Sequence, residues 1–97
     1  MRPLIFRRQA RSEYDEAGDW YEKERAGLGV EFLAEIDRLL QRIADNPEQF
    51  PMLYRDVRKA VAHRFPYCVY FRERNHSIVV MAVFHSARNP AVWQKRA

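Results

Sequence analysis

The spacing of apolar residues changes period several times along this chain. Residues 3–7 alternate, with Leu4 and Phe6 on one side and Ile5 on the other, which predicts a short strand; its proline suits a sheet edge or a strand start. Over residues 8–24, Ala10, Tyr14, Ala17 and Tyr21 recur at offsets of four, three and four, one face of a helix. Ser12, Glu13, Asp15, Glu16, Asp19, Glu22 and Glu24 fill its other sides, and Trp20 lies on the flank of the stripe. Gly18 weakens that helix interior but permits close approach of a neighbour. Gly27 and Gly29 break the pattern and are able to cap and turn. From residue 30 to about 45, Phe32, Leu33, Ile36, Leu39, Leu40 and Ile43 form a broad apolar face, and Asn46-Pro47 ends this second helix. The two helices predict an antiparallel hairpin.

Beyond Pro47 the period becomes two. A proline-bounded loop over residues 47–53 is expected to pack Phe50, Met52 and Leu53 inward. Residues 54–62 then read as one strand, with Val57, Lys59 and Val61 opposing Arg58, Ala60 and Ala62. Residues 65–72 and 77–85 are the clearest strands, joined through Glu73-Arg74-Asn75-His76. In the last, Ile78, Val80, Ala82 and Phe84 are expected to oppose Val79, Met81 and Val83; apolar on both faces, it belongs at the centre of a sheet. The order strand, helix, helix, three strands predicts an α+β fold, a helical hairpin packed on a small antiparallel-dominated sheet.

Ninety-seven residues fit one domain over residues 1–97, and 47% hydrophobic residues exclude a wholly disordered chain. The longest apolar run, residues 78–84, is far too short to cross a bilayer. Arginines return after three apolar residues at the N-terminus, too soon for a signal-peptide core, so a cytoplasmic location is expected. Cys68 is the single cysteine, which excludes an internal disulfide and a cysteine-built zinc site. Its apolar surroundings read as a buried small hydrophobe. No metal or cofactor motif appears, and carboxylate pairs such as Asp15/Asp19 and Glu31/Glu35 read as solvated helix faces. Net charge is +4, carried almost wholly by arginine, with Lys23, Lys59 and Lys95 the exceptions. Such a chain favours a polyanionic or acidic partner.

Several segments jointly carry a resemblance. They are Ala10-Arg11-Ser12-Glu13-Tyr14-Asp15-Glu16-Ala17, Trp20-Tyr21, Gly29-Val30-Glu31-Phe32, Ile43-Ala44-Asp45-Asn46-Pro47, Phe65-Pro66-Tyr67 with Val69-Tyr70, and Val83-Phe84-His85-Ser86-Ala87-Arg88-Asn89-Pro90 with Trp93. In this order the chain resembles the RelE/ParE superfamily of type II toxin–antitoxin toxins, and its closing segment resembles the ParE-type branch. The resemblance implies a protein that poisons its own cell when free, as in plasmid stabilisation, and is neutralised by a small acidic cognate antitoxin, here expected to be ParD-like. It implies that ParE-like members act by trapping DNA gyrase, without turnover, and that RelE-like members cut mRNA in the ribosomal A site.

Metal-independent RNA cleavage needs a group to activate the ribose hydroxyl, a donor for the leaving oxygen and cations for the phosphorane. His85, Arg64 and Arg72 are the candidates for that alternative reading. Ser86 stands where the His-Tyr members of the family place tyrosine, and no tyrosine follows Tyr70, which weakens it. His85 reads first as a strand-end histidine hydrogen-bonded to the tail backbone, and only second as a catalytic group. A gyrase poison needs only a surface, and Arg88, Trp93, Lys95 and Arg96 offer a large ring flanked by cations, residue types enriched in binding hot spots. Trp93 is either such a contact or a cover folded over the sheet. For the antitoxin, Tyr14, Trp20 and Tyr21 are candidate anchors on the first helix, with core packing the competing role.

Overall fold

The computed structural model describes residues 2–97. Strand β1 (Leu4–Phe6) leads into helices α1 (Arg8–Glu24) and α2 (Leu28–Asp45); a 3-10 turn (Pro47–Gln49) leads to strands β2 (Met52–Tyr54), β3 (Val57–Val61), β4 (Tyr67–Arg74) and β5 (Ser77–His85), and helix α3 (Ala91–Gln94) closes the chain. The five strands form one sheet in the order β1-β5-β4-β3-β2. β1 runs parallel to β5, and every other pairing is antiparallel. The α+β expectation therefore holds, while β5 lies inside the sheet between β1 and β4 and the middle position falls to β4.

Three local expectations need correction. The strand expected over residues 54–62 is a hairpin: Tyr54 pairs with Val57 across a two-residue turn in which Arg55 has φ 54. No glycine or asparagine marks that turn, so the sequence hides it. Asp56 steadies it from across the sheet, accepting from Arg72 Nη2 at 2.9 Å and Arg74 Nη1 at 2.6 Å. Second, Phe50 is buried as expected but Met52 and Leu53 are more than half exposed, because they lie on the outermost strand. Third, the alternation along β5 breaks. Tyr70 pairs with Ala82 but Phe71 pairs with Val80, which leaves Met81 as an extra residue. This bulge puts Ile78, Val80 and Val83 against the helices, and Met81, Ala82 and Phe84 on the opposite face.

Each sheet face thus has its own core. The helical hairpin covers one through Phe32, Ile36, Leu39 and Ile43. The other gathers Val57, Cys68, Tyr70, Met81 and Phe84 beneath Trp93, which is fully buried. Trp93 stacks on Tyr70 with ring centroids 4.1 Å apart and meets Tyr54 edge-on at 5.9 Å. Its expected role as an exposed target contact is therefore replaced by the alternative, a cover folded over the sheet. Truncating a tryptophan so placed costs about 3–5 kcal/mol.

The helices approach most closely where α1 meets the start of α2. A Cβ added at Gly29 would lie 2.4 Å from the Gly18 carbonyl oxygen, backbone that cannot swing aside. One added at Gly18 would meet only the Leu33 side chain, at 3.0–3.2 Å. Glu22 completes the junction by accepting the Gly27 and Gly29 N–H groups at 2.8 and 2.9 Å, serving the N-terminus of α2 from the neighbouring helix. We expect Gly29→Ala to lose about 2 kcal/mol in urea unfolding. Gly18→Ala should stay within about 1 kcal/mol of wild type, because helix propensity offsets the Leu33 adjustment.

Candidate functional site

Past Phe6, β1 no longer covers β5, and the bulge at Met81 turns backbone groups toward the uncovered edge. Two side chains from opposite ends of the chain meet there. Glu13 of α1 accepts the Val83 N–H at 3.1 Å, and Arg96 donates to the Met81 carbonyl at 3.1 Å. The two also pair with each other, Arg96 Nη1 on Glu13 Oε1 at 3.0 Å and Arg96 Nη2 on Oε2 at 2.9 Å. Arg88 adds a contact to Glu13 Oε2 at 2.9 Å, its guanidinium 4.2 Å from the Phe84 ring centre. The Glu13 and Arg96 side chains are only 11% and 12% exposed, so this bidentate pair is largely withdrawn from water. It fastens the tail that carries Trp93. Glu13 looked like one more carboxylate on a solvated helix face; only the bulge and the returning tail single it out. Arg96, expected as a target contact, serves here as a clamp, while Arg88 and Lys95 remain exposed.

Beside this clamp a groove of about 340 Å³ runs between α1 and the ends of β4 and β5, lined by Glu13, Glu16, Ala17, Trp20, Tyr21, Tyr67, Val83, His85 and Arg88. Trp20 is 57% exposed and stands edge-on to Tyr21, centroids 5.0 Å apart. Tyr21 continues inward, stacked on Phe32 at 5.0 Å. The structure therefore brings Trp20 and Tyr21 into one wall with an apolar floor behind it. Tyr14 lies apart, in a second hollow with Leu4, Phe6 and Leu40, and its hydroxyl donates to Asp37 at 2.6 Å.

The residues named for RNA cleavage do not converge. His85 stands on the helix side of the sheet, edge-on to Tyr67 at 5.3 Å, and its Nδ1 accepts the Ala87 N–H at 3.1 Å. Tyr67 pairs with His85 and Arg72 pairs with Val79, so Arg72 lies five residues further along β4, about 17 Å, and on the opposite face. Arg72 is buried and committed to Asp56. Arg64 is held by Glu31 on α2 at 2.6 Å, a hydrogen bond that lowers the Glu31 pKa. Among the described residues no cluster of His, Cys, Asp or Glu could hold a metal ion, and no helix is long and apolar enough to cross a membrane.

A sequence model of the ParE toxin of type II toxin–antitoxin systems, parDE, matches residues 4–90. The chain belongs to the ParE toxin family. Among solved structures, the fold is similar to a chain of the chromosomal ParDE toxin–antitoxin system from P. aeruginosa, with a TM-score of 0.77 at 19% identity, covering 88% of this chain and 96% of that one. No curated protein matches in sequence. The match to the family ends at residue 90, just before α3, so Trp93 and Arg96 lie beyond the matched segment of this ParE toxin.

Burial raises the pKa of Tyr14, Tyr21, Tyr67 and Tyr70 above the ordinary value of 10.0, and for Tyr14 the hydrogen bond to Asp37 adds to the effect. A raised phenol pKa favours the folded state less once the unfolded chain can ionise. Stability should therefore be complete below about pH 10 and fall as pH rises above it, with phenolate absorbance appearing late in the folded protein. The clamp generates a second expectation. Glu13→Ala leaves the Val83 N–H without its acceptor and Arg96 with only the Met81 carbonyl, and should cost about 3 kcal/mol in urea unfolding. Trp93 emission should shift red before the helices unfold, whereas Trp20, already exposed, should report little.

Proposed function

We propose that this ParE toxin arrests its cell by binding DNA gyrase and stabilising the cleaved-DNA complex, and that a small acidic, ParD-like antitoxin neutralises it. The observation that carries the gyrase reading is the dispersal of His85, Arg64 and Arg72. RNA cleavage without a metal needs acid–base and cationic groups converging on one phosphate. A poison needs a rigid surface, and two cores with a clamped tail supply one. Exposed Arg88 and Lys95 contact the target on this reading, while Trp93 and Arg96 hold the tail that presents them.

The groove at Trp20 and Tyr21 is the proposed seat of the antitoxin. An exposed indole edge-on to a half-buried tyrosine, above an apolar floor, suits the apolar face of an amphipathic segment. Arg88 sits on the rim, so a segment lodged there would also cover one of the tail cations.

Purified toxin should inhibit gyrase supercoiling and accumulate double-strand breaks, and on induction DNA synthesis should stop before translation does. His85→Ala should keep full toxicity. Codon-periodic mRNA cuts with normal gyrase activity would overturn this reading in favour of a ribosome-dependent endoribonuclease. For the antitoxin, Trp20→Ala should weaken capture by about 2 kcal/mol, roughly 30-fold in Kd by calorimetry. Unchanged affinity would remove the groove from that interface.

A further inference from the structure

Charge in this chain is divided between its halves. Residues 51–97 hold nine Lys and Arg against two Asp and Glu, whereas residues 1–50 hold eight against eleven. Folding turns this division into geometry, because the first half supplies the helices and the second supplies β2 to β5 and the tail. Both carboxylates of the cationic half are already engaged. Glu73 pairs with Arg2 and Arg58, and Asp56 with Arg72 and Arg74.

The sheet face away from the helices therefore has cations in excess. Lys59 lies opposite Tyr70, on the same face as Val57, and is half-buried. Arg55 projects from the β2–β3 turn, its guanidinium 5.4 Å from the centre of the Tyr54 ring, which in turn abuts Trp93. Lys95 is exposed on the tail that covers this face. Among the described residues none of these three forms an ion pair. Beneath them Arg72 Nε is a buried donor without an acceptor, so the cationic character of this side continues at depth.

We propose that this sheet face binds the phosphodiester backbone of duplex DNA, with Arg55 and Lys59 as phosphate contacts beside the Tyr54 ring. The inference rests on the gyrase reading only for which DNA the toxin meets. An acidic peptide would also match the charge, but an amphipathic segment needs a groove for its apolar side. Three hollows in this fold are each walled by α1 or α2. A face of fixed cations on a sheet suits phosphates spaced along a stiff rod, and reads no sequence.

Binding of a labelled mixed-sequence duplex, followed by anisotropy over a salt series, tests the proposal. Wild type should bind with a linear dependence of log K on log salt. The double variant Arg55→Gln/Lys59→Gln should bind at least tenfold more weakly and lose about 2 from that slope. Lys23→Gln/Arg38→Gln, which removes the same charge from the helices, should bind as wild type. Circular dichroism and melting confirm that each variant folds. Equal losses in both double variants, or wild-type binding by the first, would overturn the proposal, as would single-stranded RNA or an acidic peptide displacing the duplex at lower concentration than duplex itself. Normal gyrase poisoning by Arg55→Gln/Lys59→Gln would sink the DNA contact and leave the gyrase reading standing. Salt-dependent duplex binding without any effect on gyrase would do the reverse.

Discussion

A central strand that is apolar on both sides cannot be satisfied by a single layer of helices, and this constraint organises the molecule. β5 and β4 present Ile78, Val80 and Val83 one way and Tyr70, Met81 and Phe84 the other. The helical hairpin covers the first set. The second would face water if the last dozen residues did not return across it with Trp93, burial that is the dominant favourable term in a fold of this size. The Glu13–Arg96 pair makes that return specific. It joins α1 to the tail and supplies partners to the backbone groups that the Met81 bulge leaves at an open strand edge.

The same constraint limits where function can reside. Trp93 and Arg96 have the residue types expected of contacts, yet the fold uses them to close and fasten a core. What remains exposed on the tail is Lys95 and, though paired with Glu13, Arg88; the neighbouring sheet adds Arg55 and half-buried Lys59. The apolar groove lies on the other side of the molecule, where Trp20 stands exposed and the helices bring most of the carboxylates. Two surfaces of different chemistry thus share one fold, one rich in cations and one built on aromatic rings. Arg88, which belongs to the tail and lines the groove, lies between them.

Much of this was legible in the sequence because period and length are local properties. The helical stripe Ala10, Tyr14, Ala17 and Tyr21, the broad face of α2, and the split of β3 into Val57, Lys59 and Val61 against Arg58 and Ala60 all follow from spacing. The Arg55 turn was not legible, since no glycine or asparagine announces its positive φ and Asp56 is steadied by arginines from a different strand. The bulge was hidden for a related reason: in a run apolar at every position, an extra residue changes no pattern. Glu13 and Arg96 are 83 residues apart, and nothing local distinguishes either from its neighbours. The role of Trp93 depended on the same closure, which is why composition suggested a contact and packing gives a cover.

Hydroxyl-radical footprinting of the toxin in complex with gyrase and DNA tests most directly whether the sheet and tail form the target-facing side. The account predicts that Tyr54 and Val92 become protected in the complex while Trp20 and Val30, on the helical side, keep the reactivity they have in the free protein. Protection confined to Trp20 and Val30, with Tyr54 and Val92 unchanged, would contradict it.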